Sequence, residues 1–213
     1  MNRVFFVTGI DTGTGKSYAT GYIARQYAMN GKKVITQKFI QTGNTGISED
    51  IETHRKIMKT GLLPEDIDRI TCPVVLSYPA SPHLAAKIDS RNIEIEKITA
   101  STVLLLETYD IVLIEGAGGI MTPVNDSYTT VNYIIDRQLP VIIVTSSKLG
   151  SINHTLLTLE ICKSNNIEVN SLVYNKFGID DKLICSDTEI YLKRYIAKNF
   201  KDCLWIELPE LSV

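Results

Sequence analysis

The stretch VFFVTGIDTGTGKSYAT, residues Val4 to Thr20, carries the strongest fold signal in the sequence. It opens as an apolar run, turns glycine-rich, and then sets Lys16 beside Ser17. This order is typical of a buried strand, a glycine turn and a helix that begins at Lys16. Backbone N–H groups of such a turn can bind a phosphate. The stretch therefore predicts a phosphate-binding loop at the carboxyl end of a strand.

Each residue type in the loop has its own expected task. Gly9, Gly13 and Gly15 let the backbone approach an anion closely. Lys16 supplies a positive charge, and Ser17 supplies the hydroxyl that binds Mg²⁺ in many such loops. The spacing from Gly9 to Gly15 is one residue longer than the standard G-x-x-x-x-G-K-[S/T]. Nucleoside triphosphate binding is favoured over a chance glycine turn, but the loop alone does not separate a switch from a ligase or a kinase.

Short apolar runs alternate with helical patterns along the rest of the chain. Strands are predicted at Val4–Thr8, Lys33–Gln37, Ile111–Ile114, Val141–Thr145 and Ser171–Tyr174. Helices are predicted at Lys16–Asn30, Glu49–Thr60, Glu94–Thr108, Tyr128–Arg137, Ile152–Asn165 and Asp187–Asn199. Gly31 and Gly61 are expected to end the first two helices. The proline-containing segment Leu62–His83 is predicted as an ordered loop.

The alternation of strands and helices predicts an α/β fold with a mainly parallel sheet and helices on both faces. The 213 residues are expected to form a single domain, residues 1–213, with ligands at the carboxyl ends of the strands. A net charge of −2 and scattered lysines argue against nucleic acid as a partner. The absence of a signal pattern and of a long apolar run predicts a cytoplasmic protein that does not enter membranes. The four cysteines lack metal-ligand spacing and are expected to be reduced thiols.

QKFIQTG, residues Gln37 to Gly43, places Lys38 at the carboxyl end of the second predicted strand. A lysine at this edge can stabilise a transferring phosphoryl group, and Thr42 can add a donor. Because most lysines are exposed, position alone favours a solvated side chain for Lys38.

DIVLIEGAGG, residues Asp110 to Gly119, is an apolar strand that ends in Glu115 and then gives way to small residues. Its strand is too apolar for the surface, so Glu115 is predicted to be buried beside the phosphates as a Mg²⁺ partner. Asp50 is a further candidate ligand. It is equally well interpreted as an acidic residue in the first turn of a helix.

Six motifs in order resemble dethiobiotin synthetase: TGIDTGTGKS, the lysine of QKFIQTG, YPASPHLAA, IEGAGGIMTPV, KLGSINHTLLTLE and VYNKF. The resemblance covers most of the chain, and the lengthened glycine loop is itself a family trait. It implies a P-loop fold and an ATP-dependent ligase that closes a ureido ring late in biotin synthesis. The substrates would be ATP, 7,8-diaminononanoate and CO₂ or bicarbonate, with Mg²⁺ as the metal.

The resemblance also assigns roles residue by residue. Lys38, Lys16 and Thr12 would act on the reacting groups, and Ser17, Asp50 and Glu115 would bind Mg²⁺. ATP would contact Gly13, Thr14, Gly15, Lys16, Ser17, Asp50, Glu115, Gly116, Ala117, Gly118, Asn175, Lys176, Pro209, Glu210 and Leu211, with Asn175 at the adenine and Pro209 to Leu211 closing over it. The diamine would contact Thr42, Gly150, Ser151, Ile152 and Asn153. One departure is Phe39, where the family usually has proline; it removes a backbone restraint beside Lys38.

KLGSINHTLL, residues Lys148 to Leu157, begins a predicted helix whose first N–H groups favour an anion. In the family this helix start comes from the neighbouring subunit and binds the substrate carboxylate, so the resemblance implies a homodimer. The alternative is a helix start that is capped by Ser151 or Asn153 and binds nothing.

Two other function classes share the glycine loop. Partition and targeting ATPases, which act as dimeric switches, carry a lysine five residues before the loop lysine, where this sequence has Asp11. A small metabolite kinase would leave KLGSINH and YPASPH without a role. Phosphate release that needs both diamine and bicarbonate would distinguish a ligase from a switch.

Overall fold

The computed structural model describes residues 3–178 and 181–210. The strands are β1 (Val4–Gly9), β2 (Val34–Lys38), β3 (Gln41–Thr42), β4 (Val75–Leu76), β5 (Ile111–Gly119), β6 (Val141–Ser146), β7 (Val169–Asn175) and β8 (Leu204–Leu208). The helices are α1 (Lys16–Met29), α2 (Glu49–Met58), α3 (Pro64–Ile67), α4 (Pro82–Ile88), α5 (Ile95–Thr108), α6 (Thr130–Asp136), α7 (Ser151–Ser164) and α8 (Lys182–Asn199).

Six strands form one parallel sheet in the order β2-β5-β1-β6-β7-β8, and β3 and β4 form a small parallel pair beside it. Glu115 of β5 is in register with Val7 of β1 on one side and Lys38 of β2 on the other. The carboxyl ends of three neighbouring strands are therefore level, which places the glycine loop, Lys38 and Glu115 at one edge.

Two apolar cores cover the two faces of the sheet. Side chains alternate between faces along a strand, so Phe6 packs into one core and Phe5 and Val7 into the other. Ile98 of α5 lies in the first core and Ile23 of α1 in the second. The predicted α/β fold with helices on both faces is confirmed. Among the described residues, no helix combines the length and apolar character needed to cross a membrane.

The five predicted strands are present, each with ends within two residues of the prediction except that β5 continues past Ile114 and Glu115 to Gly119. The prediction of a loop over Leu62–His83 is wrong, because the segment contains α3, β4 and the start of α4. Pro64 and Pro82 stand in the first turns of α3 and α4, where a missing N–H costs nothing. The prolines thus begin helices there instead of bracing a loop.

The predicted helices differ from the observed ones mainly at their ends. Gly31 follows α1 with a φ of 77°, as expected for a helix stop. The C-cap of α2 is Lys59, with a φ of 61°, so the helix ends before Gly61, which is itself left-handed at φ 69°. The last helix begins at Lys182, earlier than predicted, because the Asp181 carboxylate accepts hydrogen bonds from the N–H groups of its first turn.

Candidate active site

The glycine loop joins β1 to α1 and is shaped by two left-handed residues, Gly13 at φ 74° and Gly15 at φ 88°. At Gly15 a Cβ atom would lie 2.4 Å from the Asn175 amide nitrogen, so this position also has no room for a side chain. The Lys16 ammonium donates to the Asp11 carbonyl at 2.9 Å, and the Thr14 hydroxyl donates to the same oxygen at 3.2 Å. The loop is therefore a backbone cradle beside a lysine.

Three oxygen-bearing side chains meet where α1 and α2 begin beside β5. The Ser17 hydroxyl, in the first turn of α1, lies 2.6 Å from an Asp50 oxygen and 2.9 Å from Glu115 Oε1. Asp50 lies in the first turn of α2, as the helix interpretation predicts, and its carboxylate faces Ser17; its role as a Mg²⁺ ligand stays a prediction. Hydroxyl and carboxylate oxygens are the donors that Mg²⁺ prefers, so the group fits that ion. In the described part of the chain, no cluster of three or more His, Cys, Asp or Glu could hold a metal ion.

Lys38 is buried, with 4% of its surface exposed, so the expectation of a solvated lysine is wrong. Its ammonium lies 2.5 Å from Asp50 and 2.8 Å from Glu115 Oε1, and it donates to the Gly116 carbonyl at 3.2 Å. The register of β2 on β5 accounts for this, because it sets Lys38 directly beside Glu115.

Burial and charge act against each other on these groups. Burial alone would lower the pKa of Lys38, but Glu115 and then Asp50 raise it above its ordinary value. Burial would raise the pKa of Glu115, but Lys38 and then His54 hold it well below its usual range. Both members of the pair therefore stay ionised. Burial lowers the pKa of Lys16 to about 8, with Glu115 opposing the change.

A cavity of about 760 Å³ lies over this edge of the sheet. Its walls join the glycine loop to the turn Pro79–Pro82, which belongs to the YPASPHLAA motif. The candidate residues that line it are Thr12, Gly13, Gly15, Lys16, Ser17, Lys38, Thr42, Asp50, Glu115, Ala117 and Gly118. The volume is in the range of sites for small metabolites.

Other candidates lie outside that cavity. The Asn175 amide nitrogen donates to the Thr14 carbonyl at 3.0 Å, and its amide oxygen accepts from the Phe177 N–H at 3.0 Å. Asn175 thus ties the glycine loop to the end of β7. Lys176 pairs with Glu189 and Glu207. Pro209 and Glu210 are exposed after β8, and Leu211 lies outside the described residues.

The start of α7 only partly matches the expected anion site, because the Ser151 N–H already donates to the Lys148 carbonyl at 2.9 Å. Gly150 is the N-cap, with a φ of 96°, and it has no side chain that could cap the helix. The alternative of a cap by Ser151 or Asn153 is wrong, because both lie inside the helix and the Ser151 hydroxyl bonds the Ser146 hydroxyl at 2.8 Å. The residues that line the cavity do not include 150–153.

Phe39 adds a restraint where the loss of one was expected. Its N–H donates to the Glu115 carbonyl at 2.8 Å, a bond that proline could not make. Its fully buried ring packs 5.5 Å from Phe6 and 4.7 Å from Tyr133. Phe39 therefore fixes the backbone beside Lys38 through both its N–H group and its ring.

Sequence reasoning missed the buried residues behind Glu115. His54 Nε2 lies 2.5 Å from Glu115 Oε2 and is fully buried. It follows Asp50 by four residues on α2, which places both on one face of that helix. That spacing was the signal that could have identified His54.

A glycine cradle between a strand and a helix, followed by Lys-Ser and faced by a carboxylate on the neighbouring strand, defines a P-loop nucleotide-binding protein. The family model for the AAA domain matches residues 3–200. A ParA family ATPase from Chlorobium tepidum TLS aligns with a TM-score of 0.55 at 18% identity, over 100% of this chain and 86% of that one. A putative plasmid partition protein from Borrelia burgdorferi B31 aligns with a TM-score of 0.54 at 16% identity, over 99% and 87%. These similarities establish the fold alone.

Curated relatives are much closer in sequence. The chain is 50% identical to ATP-dependent dethiobiotin synthetase BioD 2 of Pasteurella multocida (strain Pm70), over 100% of both chains. It is 48% identical to the Haemophilus ducreyi protein of the same name, over 94% of this chain and 95% of that one. The Chlorobaculum tepidum BioD is 44% identical over 91% and 82%. The chain belongs to the ATP-dependent dethiobiotin synthetase family, as the six sequence motifs predict.

Proposed function

We propose that the protein is an ATP- and Mg²⁺-dependent ligase that closes the ureido ring of dethiobiotin from 7,8-diaminononanoate and CO₂. Membership in the family supports this reaction. One observation carries it for this chain: the Lys38 ammonium and the glycine loop line the same cavity, with Lys38 buried against two carboxylates. A buried cation beside a phosphate cradle suits the transfer of a phosphoryl group to an anionic acceptor.

The proposed chemistry has three steps. One amine of the diamine adds to CO₂ and gives a carbamate. A carbamate oxygen attacks the γ-phosphorus of ATP, ADP leaves, and a carbamic-phosphoric anhydride forms. The second amine then attacks the carbonyl carbon, the ring closes, and phosphate leaves. Lys16 and Lys38 would stabilise the charge on the transferring group, and Thr12 and Thr42 would orient the reactants.

The metal role rests on the chemistry of the donor set. Ser17, Asp50 and Glu115 would hold Mg²⁺ together with phosphate oxygens, because hydroxyl and carboxylate oxygens are the donors that this ion prefers. When bound, the ion would neutralise charge on the phosphates.

The remaining ATP contacts are proposed from the resemblance. Gly13 to Ser17 and Gly116 to Gly118 would surround the phosphates, and Lys176, Pro209, Glu210 and Leu211 would approach the base. For Asn175 the hydrogen bond to Thr14 supports a second task, the alignment of the glycine loop with β7. We also propose that residues 1–213 act as one domain in the cytoplasm.

The proposal includes a homodimer. Gly150, Ser151, Ile152 and Asn153 would bind the substrate carboxylate of a neighbouring subunit, and their position outside the chain's own cavity supports this. Sedimentation should give a dimer, and mixing Gly150→Trp with Lys38→Ala chains should restore about one working site per heterodimer. A monomer that is fully active at nanomolar concentration would contradict the shared site.

Mass detection of dethiobiotin tests the ligase directly. ATP, Mg²⁺, bicarbonate and the diamine should give product, and phosphate release should need the diamine and bicarbonate together. A partition-type switch would release phosphate without either, and the Asp11 position already departs from that class. Phosphate release that ignores both substrates would overturn the proposal.

A further inference from the structure

A chain of buried polar side chains runs behind Glu115, on the side away from Ser17. His54 Nε2 lies 2.5 Å from Glu115 Oε2, and His54 Nδ1 lies 3.0 Å from the Thr36 hydroxyl. Arg55 Nη1 donates to the same hydroxyl at 2.8 Å. Thr36, His54 and Arg55 are all at most 1% exposed. Burying polar groups destabilises the fold unless each group has a hydrogen-bond partner, so these side chains must keep this one arrangement.

Local periodicity explains why these residues meet. Thr36 and Lys38 are two residues apart on β2 and share one face of the strand. Asp50 and His54 are four residues apart on α2 and share one face of the helix. The facing pairs enclose Glu115, with Lys38 and Asp50 at its open side and Thr36 and His54 at its closed side.

The donors and acceptors fix one proton of His54, the one on Nε2. The ionised Glu115 carboxylate only accepts, so His54 Nε2 must carry a proton. Thr36 accepts from Arg55 and has one proton to donate, which His54 Nδ1 can accept. A neutral His54 protonated at Nε2 therefore satisfies the whole chain.

The chain of bonds continues until it returns to Lys38. Arg55 donates to both oxygens of buried Asp66, each at 2.8 Å, and Asp66 also accepts from the Thr71 hydroxyl at 2.7 Å. The Thr71 carbonyl accepts from the Lys38 N–H at 2.7 Å. The series of hydrogen bonds thus begins at the Lys38 ammonium and ends at the Lys38 backbone N–H.

We propose that His54 is a positioning residue that fixes the rotation of the Glu115 carboxylate. By holding Oε2, it leaves Oε1 facing Ser17 and Lys38, where the divalent cation is proposed to bind. The inference rests on the proposed metal role of Glu115. Partners of this kind, which act through a metal ligand, typically change metal affinity about 10- to 100-fold when removed.

Two substitutions separate the two hydrogen bonds of His54. In His54→Gln the amide nitrogen can take the place of Nε2 and donate to Glu115. In His54→Asn the shorter amide reaches the place of Nδ1 and the Thr36 hydroxyl, but not Glu115. Both variants are polar and uncharged, and each keeps one of the two contacts of His54, so only His54→Gln keeps the contact with Glu115 that is under test.

Binding of Mn²⁺ in the presence of a non-hydrolysable ATP analogue gives a readout that needs no turnover. Free Mn²⁺ followed by electron paramagnetic resonance should show about 10- to 100-fold weaker binding for His54→Asn and His54→Leu. His54→Gln should stay within about threefold of the unmodified chain. Lys56→Gln, an exposed change on the same helix, is the matched control and should behave as wild type.

Three results would overturn the proposal. His54→Asn could bind Mn²⁺ as tightly as wild type, or His54→Gln could bind as weakly as His54→Asn while both melt at the same temperature. Nitrogen-15 NMR of the unmodified chain could show the His54 proton on Nδ1 alone; this test needs no variant to fold. None of the measurements uses the diamine, so a failed ligase assay would leave them interpretable.

Discussion

Two clusters of charged side chains lie at opposite ends of the large sheet. The buried cluster consists of Lys38, Asp50 and Glu115 beside the glycine loop, with His54 hydrogen-bonded to Glu115. The surface cluster, at the β7–β8 edge, consists of Lys176, Glu189, Lys193 and Glu207, with contacts of 2.5 to 3.1 Å. Bond lengths alone would make the two equivalent.

Their solvent exposure makes them different. Side chains of Lys38 and Glu115 are 5% and 1% exposed, whereas those of Lys176 and Glu207 are 42% and 47% exposed. Water and salt screen the second pair, and exposed pairs contribute about 0 to 1 kcal/mol. A buried pair contributes little net stability over an apolar replacement, yet losing one partner costs much more. The buried cluster is therefore best explained by chemistry at the cavity rather than by stability.

The largest effect is expected at Asp66, which continues the buried network through Arg55. Asp66→Asn leaves the Arg55 guanidinium without its carboxylate, and we expect a loss of about 3 to 5 kcal/mol in the free energy of unfolding at pH 7. Urea unfolding measures this. Asp68→Asn, an exposed neighbour, is the control. Equal stabilities of Asp66→Asn and wild type at pH 7 would show that breaking this buried ion pair costs no more than breaking an exposed one.

The stabilities of wild type and Asp66→Asn should also respond differently to acid. Burial would raise the pKa of Asp66, but the hydrogen bonds and charge of Arg55 lower it below its ordinary value. A carboxyl with a lowered folded-state pKa stabilises the protein above its unfolded pKa of about 3.9, and this contribution is lost as the pH falls further. The difference in the free energy of unfolding between wild type and Asp66→Asn should therefore narrow below about pH 4. A difference that stays constant would show that the pKa of Asp66 is not lowered in the folded protein.

Lys38→Ala should remove about 2 to 4 kcal/mol of transition-state stabilisation and so slow turnover. ATP binding should stay largely intact. The reason is that Lys38 is proposed to act on charge that develops during transfer. Single-turnover kinetics and calorimetric ATP titration measure the two effects separately. Lys193→Ala removes a lysine from the surface cluster and should leave turnover unchanged. Near-normal turnover of Lys38→Ala would exclude Lys38 from the reaction.

Asn175→Ala tests the link between the glycine loop and the end of β7. It removes the bond from the amide to the Thr14 carbonyl, and we expect ATP affinity to fall by about 1 kcal/mol, roughly fivefold. Asn175→Asp also lacks the donor and adds a negative charge beside the glycine loop, so it should lower the affinity at least as much. Isothermal titration measures both, and unchanged affinity in both would leave Asn175 with no part in loop alignment.

The smallest effect is expected in the surface cluster. Lys193→Met should cost at most about 1 kcal/mol of stability, and added salt should abolish the difference from wild type. Thermal unfolding with and without salt measures this. A loss that persists at high salt would show that the surface cluster depends on more than screened charge.

Sequence patterns predicted the parts of the molecule whose signal is local. The run from Val4 to Ser17 carries its own strand, turn and helix start, and the apolar strand around Glu115 indicates its burial. Lys38 could not be predicted as buried from position, because its burial depends on the register of β2 with β5, more than 70 residues away. His54 and Asp66 were missed because their partners, Glu115 and Arg55, come from other elements, 61 and 11 residues away in the sequence.

The order of strands across the large sheet has a consequence during synthesis. β1 and β2 are made first, yet in the described chain they do not pair with each other; β5 lies between them and pairs with both. A growing chain that has not reached residues 111–119 holds two strands that are buried in the finished sheet but still have unpaired edges, and such edges are prone to aggregate. At ribosomal rates this interval lasts on the order of ten seconds. Chaperones that bind emerging chains would therefore matter most for the first half of this protein.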